Sequence, residues 1–133
     1  MTAERATYLD SSAIVKLAVR EPETAALRRW LRGKRPLVTS ALARTEVARA
    51  LLPYGAEAVG RGADVLSRIE VVRMTDRILT TAGALMPVYL RTLDAIHVAT
   101  ALELGGDLNR ICTYDHRLAA IAGDRGWTVV APA

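Results

Sequence analysis

The sequence predicts an α/β fold in which a mainly parallel sheet is covered by helices on both faces. Short apolar runs alternate with longer stretches of helical periodicity along all 133 residues, a pattern typical of parallel strands joined by helices. Hydrophobic residues make up 51% of the chain and aromatic residues only 5%, so aliphatic side chains have to fill the core. Because the length suits one domain and no linker or repeat interrupts it, we assign residues 1–133 to a single domain.

The strands and helices can be placed one after another along the chain. Five strands are expected from their apolar runs, at 6–9, 37–39, 69–74, 110–114 and 127–130. Helices are expected between them, at 13–19, 21–33, 41–52, 56–67, from the cap at 75–76 to about 86, at 93–104 and at 115–123.

Capping residues and helix breakers mark the ends of these helices. Ser40, Thr75 and Thr92 are residue types that favour N-caps. Pro53 and the glycine pair at 105–106 are expected to end the helices that precede them.

Several protein classes are excluded by composition. No apolar run is long enough to span a bilayer, and Glu4 and Arg5 stand where a signal peptide would become apolar. We therefore expect a cytoplasmic protein with no membrane partner. The single Cys112 excludes an internal disulfide, and its strand-like surroundings indicate a buried, inert thiol.

The chain is basic, with a formal net charge of +4. Such an excess often accompanies binding to a polyanion or an acidic partner, although all basic residues except Lys16 and Lys34 are Arg, which a coding bias would also explain. Five cations cluster near the end of the second helix: Arg28, Arg29, Arg32, Lys34 and Arg35. They suit either a solvated helix C-terminus or a surface that contacts RNA or a protein.

Two acidic residues follow strands of the predicted sheet. Asp10 comes directly after the first strand and Asp115 follows the fourth. Carboxyl ends of parallel strands meet at one edge of a sheet, where functional groups collect. Each residue could also be only the N-cap of the next helix.

Two further acids lie near helix starts. Asp94 is in the first turn of a helix that is apolar around most of its circumference, and Glu46 borders the apolar stripe of its own helix. The helix dipole alone would explain Asp94, and a pair with Arg49 would explain Glu46.

As a set, the four acids indicate a metal site. Carboxylates that converge repel one another unless a cation lies among them. All-oxygen ligands favour Mg²⁺, with Mn²⁺ as a substitute, and the lack of a His/Cys cluster argues against zinc. Such sites activate water for attack on a phosphodiester.

Four segments carry a resemblance to a known family. They are residues 8–13, the Thr45-Glu46 helix, residues 93–102 and residues 113–118. In this order they resemble PIN-domain proteins, and are most similar to the VapC toxins of bacterial type II toxin–antitoxin modules. The segment from Asp94 to Leu102 is the most specific.

The resemblance implies a PIN-like three-layer α/β/α sandwich with a central, mainly parallel sheet of about five short strands. It implies a Mg²⁺/Mn²⁺-dependent endoribonuclease that cleaves transfer, ribosomal or messenger RNA, forms a homodimer and is inhibited by a cognate VapB antitoxin. The family's acidic quartet and its supporting hydroxyls map onto Asp10, Glu46, Asp94 and Asp115, with Ser12 and Thr113.

The corresponding mechanistic hypothesis assigns metal binding to the three aspartates. Glu46 would complete the metal's shell or orient the attacking water, and cleavage would leave a 5′-phosphate and a 3′-hydroxyl. His97 and His116 are too isolated in the sequence to suggest a metal site or a general base. The apolar segment 86–90 is expected at a dimer interface or under the antitoxin.

Two other classes of protein are alternatives. The first is a phospho-acceptor domain, but a dehalogenase-type phosphatase needs a second Asp where Ser12 stands, and a response-regulator receiver needs a Lys near the last strand, which the sequence lacks. A non-catalytic PIN-like adaptor that binds RNA or protein is the nearer alternative. Metal-dependent cleavage blocked by EDTA separates the enzyme from the adaptor.

Overall fold

A sheet of five parallel strands lies at the centre of the structure, a computed structural model that describes residues 5–133. Glu4, used above against a signal peptide, lies outside the described residues. The strands are β1 (Ala6–Leu9), β2 (Leu37–Ser40), β3 (Glu70–Val72), β4 (Leu108–Cys112) and β5 (Thr128–Val130). They are ordered β3-β2-β1-β4-β5, and every pairing is parallel. The predicted parallel sheet is confirmed.

Seven α-helices connect or follow the strands within residues 5–133. They are α1 (Ser11–Ala18), α2 (Thr24–Leu31), α3 (Leu42–Leu51), α4 (Ala56–Leu66), α5 (Asp76–Ala84), α6 (Thr92–Leu104) and α7 (His116–Asp124). Short 3₁₀ turns at Leu52–Tyr54 and Gly105–Asp107 follow α3 and α6. The first contains Pro53 and the second the predicted glycine pair.

The helices form two layers, one on each face of the sheet. Successive side chains of a strand point to opposite faces, and β1 is buried on both. Leu9 packs in a core with α1, α3 and α4, whereas Tyr8 packs in a second core with Ala101 of α6 and Ala122 of α7. The three-layer α/β/α sandwich is therefore confirmed.

Two predicted N-caps do not lie at the helix boundary. Ser40 remains in β2, where it pairs with Val72, so α3 begins only after Ala41, although the Ser40 hydroxyl still accepts a hydrogen bond from Leu42 N at 3.1 Å. Thr92 is already helical, because the extended Arg91 serves as the N-cap of α6. Thr75 does cap α5, since its hydroxyl accepts a hydrogen bond from Ile78 N. The third strand is also shorter than the predicted 69–74.

A close approach of α3 and α4 fixes the helix that carries Glu46. A Cβ atom placed on Gly62 of α4 would lie 2.5 Å from Leu51 Cδ1 and 3.0 Å from Val47 Cγ1 of α3. Both of these α3 side chains are almost completely buried. Glycine at position 62 thus permits the short distance between the two helices.

Two further expectations concern Cys112 and membrane crossing. Cys112 is fully buried, and burial together with the charge of Asp10 raises the pKa of its thiol to about 12. It is therefore an inert thiol, as expected. Over residues 5–133, no helix has both the length and the apolar character needed to cross a bilayer.

Candidate active site

Asp10 lies at the end of the central strand and is held by three donors. It caps α1, where Oδ1 accepts from Ala13 N at 3.2 Å, and Ser12 Oγ donates to the same oxygen at 2.6 Å. Thr113 Oγ1 donates to Oδ2 at 2.7 Å. The residue is only 5% exposed, and burial raises the pKa of its carboxyl despite these hydrogen bonds. The predicted Ser12 and Thr113 hydroxyls thus both contact Asp10.

Asp115 lies beside Asp10, after the neighbouring strand β4. Its Oδ1 accepts from Arg117 N at 2.9 Å and Leu118 N at 3.2 Å, so it caps α7. Its own backbone N–H donates to Thr113 Oγ1 at 3.0 Å. Thr113 therefore contacts both aspartates and links the ends of β1 and β4.

Glu46 reaches the same edge of the sheet from α3. Its Oε1 accepts from Ser11 Oγ at 2.6 Å and from His97 Nε2, also at 2.6 Å. Burial raises the pKa of the Glu46 carboxyl, but these hydrogen bonds outweigh burial and hold the pKa below its usual value. The alternative pair with Arg49 is not formed among the described residues.

Asp94 completes the set from the first turn of α6. Burial and then the charges of Asp115 and Asp10 raise the pKa of its carboxyl, against the opposing influence of His97 and Arg91. Aspartates interact in this way only when they are near one another. The structure therefore brings all four predicted acids to the carboxyl edge of the sheet.

The chemistry of this set fits a hard divalent cation, although a coordination shell is not formed. Carboxylates gathered at one edge, two of which raise the pKa of Asp94, form the kind of environment in which Mg²⁺ or Mn²⁺ relieves repulsion. Within residues 5–133, no three His, Cys, Asp or Glu side chains form a group that could hold a metal ion. Side-chain adjustment on binding would be needed to bring the carboxylates together.

Sequence reasoning missed two residues of this site, His97 and Ser11. His97 is 4% exposed and contacts Glu46 on one ring nitrogen and Tyr8 on the other. It lies three residues after Asp94, so both residues share one face of α6. That spacing was the signal that could have identified it. Ser11 adjoins the predicted Ser12 but serves Glu46 instead of Asp10.

A cavity of about 310 Å³ opens beside Asp94. Two arginines, Arg91 and Arg117, line it together with a second carboxylate, Asp124, and the exposed ring of Tyr89. This is enough space for a small part of a ligand. Cations beside the acids are suited to holding a polyanion near the site.

The basic cluster of residues 28–35 lies elsewhere. It follows the C-terminal end of α2 and leads into the start of β2, so it lies at the amino edge of the sheet. The acids lie at the opposite, carboxyl edge. Arg28 and Arg35 are exposed there, and their guanidinium groups donate to the Leu17 and Arg68 carbonyls. This cluster is not part of the candidate site.

The fold and the site define the class of protein. The family model described as the PIN domain matches residues 7–124, and the chain belongs to the PIN-domain family.

One sequence relative and two solved structures are similar to the chain over nearly its whole length. It is 58% identical over 127 residues to ribonuclease VapC46 of Mycobacterium tuberculosis, covering 96% of this chain and 98% of that protein. Among solved structures it resembles M. tuberculosis VapC20, a sarcin-ricin loop cleaving toxin, with a TM-score of 0.74, 18% identity and coverage of 95% and 99% of the two chains. A toxin–antitoxin complex from Klebsiella pneumoniae gives a TM-score of 0.71 at 24% identity, covering 96% and 98%. The two solved structures support the same fold.

Proposed function

We propose that this protein is a Mg²⁺- or Mn²⁺-dependent endoribonuclease, the toxin of a VapBC module. The observation that carries the proposal is the approach of Asp10, Glu46, Asp94 and Asp115 from four separate chain segments to one sheet edge. The identity to a protein named as a ribonuclease supports it.

The four acids divide between two parts in the proposed reaction. Asp10, Asp94 and Asp115 would hold the metal, and Glu46 would complete its shell or orient the attacking water. When bound, the metal would supply Lewis acidity and help to activate that water. The Ser12 and Thr113 hydroxyls favour the ionised form of Asp10 by donating to it. The water would lose a proton and add to the scissile phosphorus as the bond to the 3′-oxygen breaks, and that oxygen would take up a proton, which leaves a 5′-phosphate and a 3′-hydroxyl.

The RNA would approach Asp94 from the side of Arg91 and Arg117. Both arginines line the cavity next to that acid, and guanidinium groups pair well with phosphate oxygens. Whether the substrate is transfer, ribosomal or messenger RNA depends on surface shape around this cavity.

We also propose a VapB-type antitoxin and a second copy of the chain as partners. Three side chains of the apolar segment 86–90 are largely exposed: Met86, Val88 and Tyr89. Exposed apolar groups in one segment are typical of surfaces that bind protein. The solved toxin–antitoxin complex of similar fold is consistent with such a partner.

The purified protein should cleave RNA with Mg²⁺ and stop when EDTA is added. Substituting Asp10→Asn or Asp94→Asn should lower the rate more than about 100-fold, because loss of an outer-shell group alone commonly costs 10–100-fold. Sequencing the new 5′-phosphate ends after brief expression in a bacterial host would identify the target RNA.

Two outcomes would contradict the proposal. Full activity in D10N or D94N, free of contaminating nuclease, would remove the acids from the mechanism. RNA binding without cleavage, unaffected by EDTA, would instead identify a non-catalytic adaptor.

A further inference from the structure

A buried line of side chains runs from the central strand to Glu46. Tyr8 Oη lies 2.7 Å from His97 Nδ1, and His97 Nε2 lies 2.6 Å from Glu46 Oε1. Tyr8 is 1% exposed and His97 4%. The line thus begins in the core and ends at one of the four acids.

The hydrogen-bond partners determine which ring nitrogen carries a proton. An ionised carboxylate can only accept, so His97 Nε2 has to donate to Glu46. When the ring is neutral, Nδ1 is the acceptor and the Tyr8 hydroxyl can donate to it. Tyr8 and Glu46 therefore favour the same tautomer from opposite sides of the ring.

The contact restricts how Glu46 can orient. Ser11 and His97 both donate to Oε1, which leaves Oε2 as the oxygen for a ligand or a water. A glutamate has several rotatable bonds, so two short hydrogen bonds on one oxygen select one orientation among many. Donors from α1 and α6 meet there on a side chain of α3.

Packing alone does not explain a histidine at position 97. Its ring meets the Tyr8 ring edge-on, with centroids 5.9 Å apart at 82°, a contact that an apolar aromatic residue could also make. Such a residue would leave the buried Tyr8 hydroxyl and the partly buried Glu46 Oε1 without this partner. The imidazole is the group that serves both.

We propose that His97 is a positioning residue for the reaction, holding Glu46 so that Oε2 faces the site, with Tyr8 fixing the tautomer. This inference rests on the proposed nuclease function. His97 acts through Glu46 and does not itself touch the substrate.

Two substitutions test the hydrogen bonds of the two ring nitrogens separately. In His97→Gln the amide nitrogen replaces Nε2 and can still donate to Glu46. In His97→Asn the shorter amide replaces Nδ1, faces Tyr8 and loses the donor to Glu46. We expect H97N to lower kcat about 10–100-fold with little change in KM, and H97Q to recover most of that loss at a similar melting temperature.

Imidazole ¹⁵N NMR provides a readout that does not depend on activity. The spectrum of the wild-type protein should show His97 protonated at Nε2, and Tyr8→Phe should weaken that preference while removing only a hydroxyl. If the wild-type ring carries its proton on Nδ1, the inference is wrong, whatever the enzyme does.

The kinetic outcomes also distinguish a failure of this inference from a failure of the proposed function. Loss of kcat in H97Q and H97N alike, in proportion to lowered stability, would make His97 purely structural and overturn the inference. A wild-type protein that cleaves no RNA with Mg²⁺ would instead contradict the proposed function, while the NMR result would still test the hydrogen-bond line.

Discussion

Thr113 donates a 2.7 Å hydrogen bond from Oγ1 to Oδ2 of Asp10, a residue 103 positions earlier in the chain. The bond joins the ends of the two adjacent strands β1 and β4. It also supplies a donor to a carboxylate that burial would otherwise favour in its neutral form.

Replacing Thr113→Val should therefore change both stability and pH dependence. The free energy of unfolding should fall by about 1–3 kcal/mol, since a buried acceptor loses its donor. Without that donor the pKa of Asp10 rises further, so the acidic limb of the activity profile should move to higher pH. Urea unfolding and a pH–rate profile measure the two effects. Thr128→Val, on the exposed face of β5, is the matched control and should change neither.

Adding Mg²⁺ should stabilise the folded protein. A metal at about 100 times its Kd adds about 2.7 kcal/mol to the free energy of unfolding, which a thermal melt detects as a rise in Tm that EDTA reverses. D10N should show a much smaller rise. An equal rise in D10N would place the bound metal away from these acids.

In the metal-free protein, the contribution of Asp94 to the free energy of unfolding should decrease as pH rises. Because the pKa of Asp94 is raised above 3.8, the folded state binds its proton more tightly than the unfolded chain does. Stability from this group is thus full at low pH and is lost as pH rises through the folded-state pKa. The free energy of unfolding of the wild type minus that of Asp94→Asn should therefore decrease from about pH 4 to pH 7. A difference that stays constant or grows would contradict the raised pKa.

Gly62→Ala should destabilise the contact between α3 and α4. The added methyl group would lie 2.5 Å from Leu51 Cδ1, and overpacking of this kind costs about 1–3 kcal/mol. Gly60→Ala in the same helix meets nothing within 4 Å and should stabilise by about 0.4–1 kcal/mol. Chemical denaturation compares the two variants directly, and G62A as stable as G60A would show that the helices can separate freely.

RNA affinity should depend on salt through the arginines near Asp94. Removing one phosphate contact reduces the slope of log affinity against log salt by about 0.7 for single-stranded RNA, so we expect that change in Arg117→Ala. Arg28→Ala, in the cluster at the opposite edge of the sheet, should leave the slope unchanged. The comparison uses a D10N background to prevent cleavage, and the reverse result would transfer the RNA surface to residues 28–35.

Much of the fold follows from local pattern, but the links between distant segments do not. The apolar runs predicted the five strands to within a few residues, because burial on both faces of a parallel sheet leaves a clear apolar run. The caps at Ser40 and Thr92 were wrong because sheet pairing extended β2 and an extended Arg91 preceded α6. Sheet pairing overrides cap preference at Ser40, and the local backbone conformation of Arg91 does so at Thr92.

The candidate site likewise has residues that local pattern predicts and residues that only contacts between distant segments reveal. Asp10 and Asp115 could be placed from strand ends alone, since topology brings them to one edge. The partners of Glu46 could not be, because Ser11 and His97 lie 35 and 51 positions away. A helical spacing of three from Asp94 points at His97 only when the direction of that face is known.

The position of β1 between β2 and β4 has a consequence for the order in which the protein is made. A ribosome that has synthesised the chain only as far as residue 107 has already produced Asp10, Glu46 and Asp94, but not β4, Thr113 or Asp115. One side of the central strand is then unpaired, and the fourth acid does not exist. Translation products that end before β4 therefore lack one of the four acids and cannot complete the acidic centre.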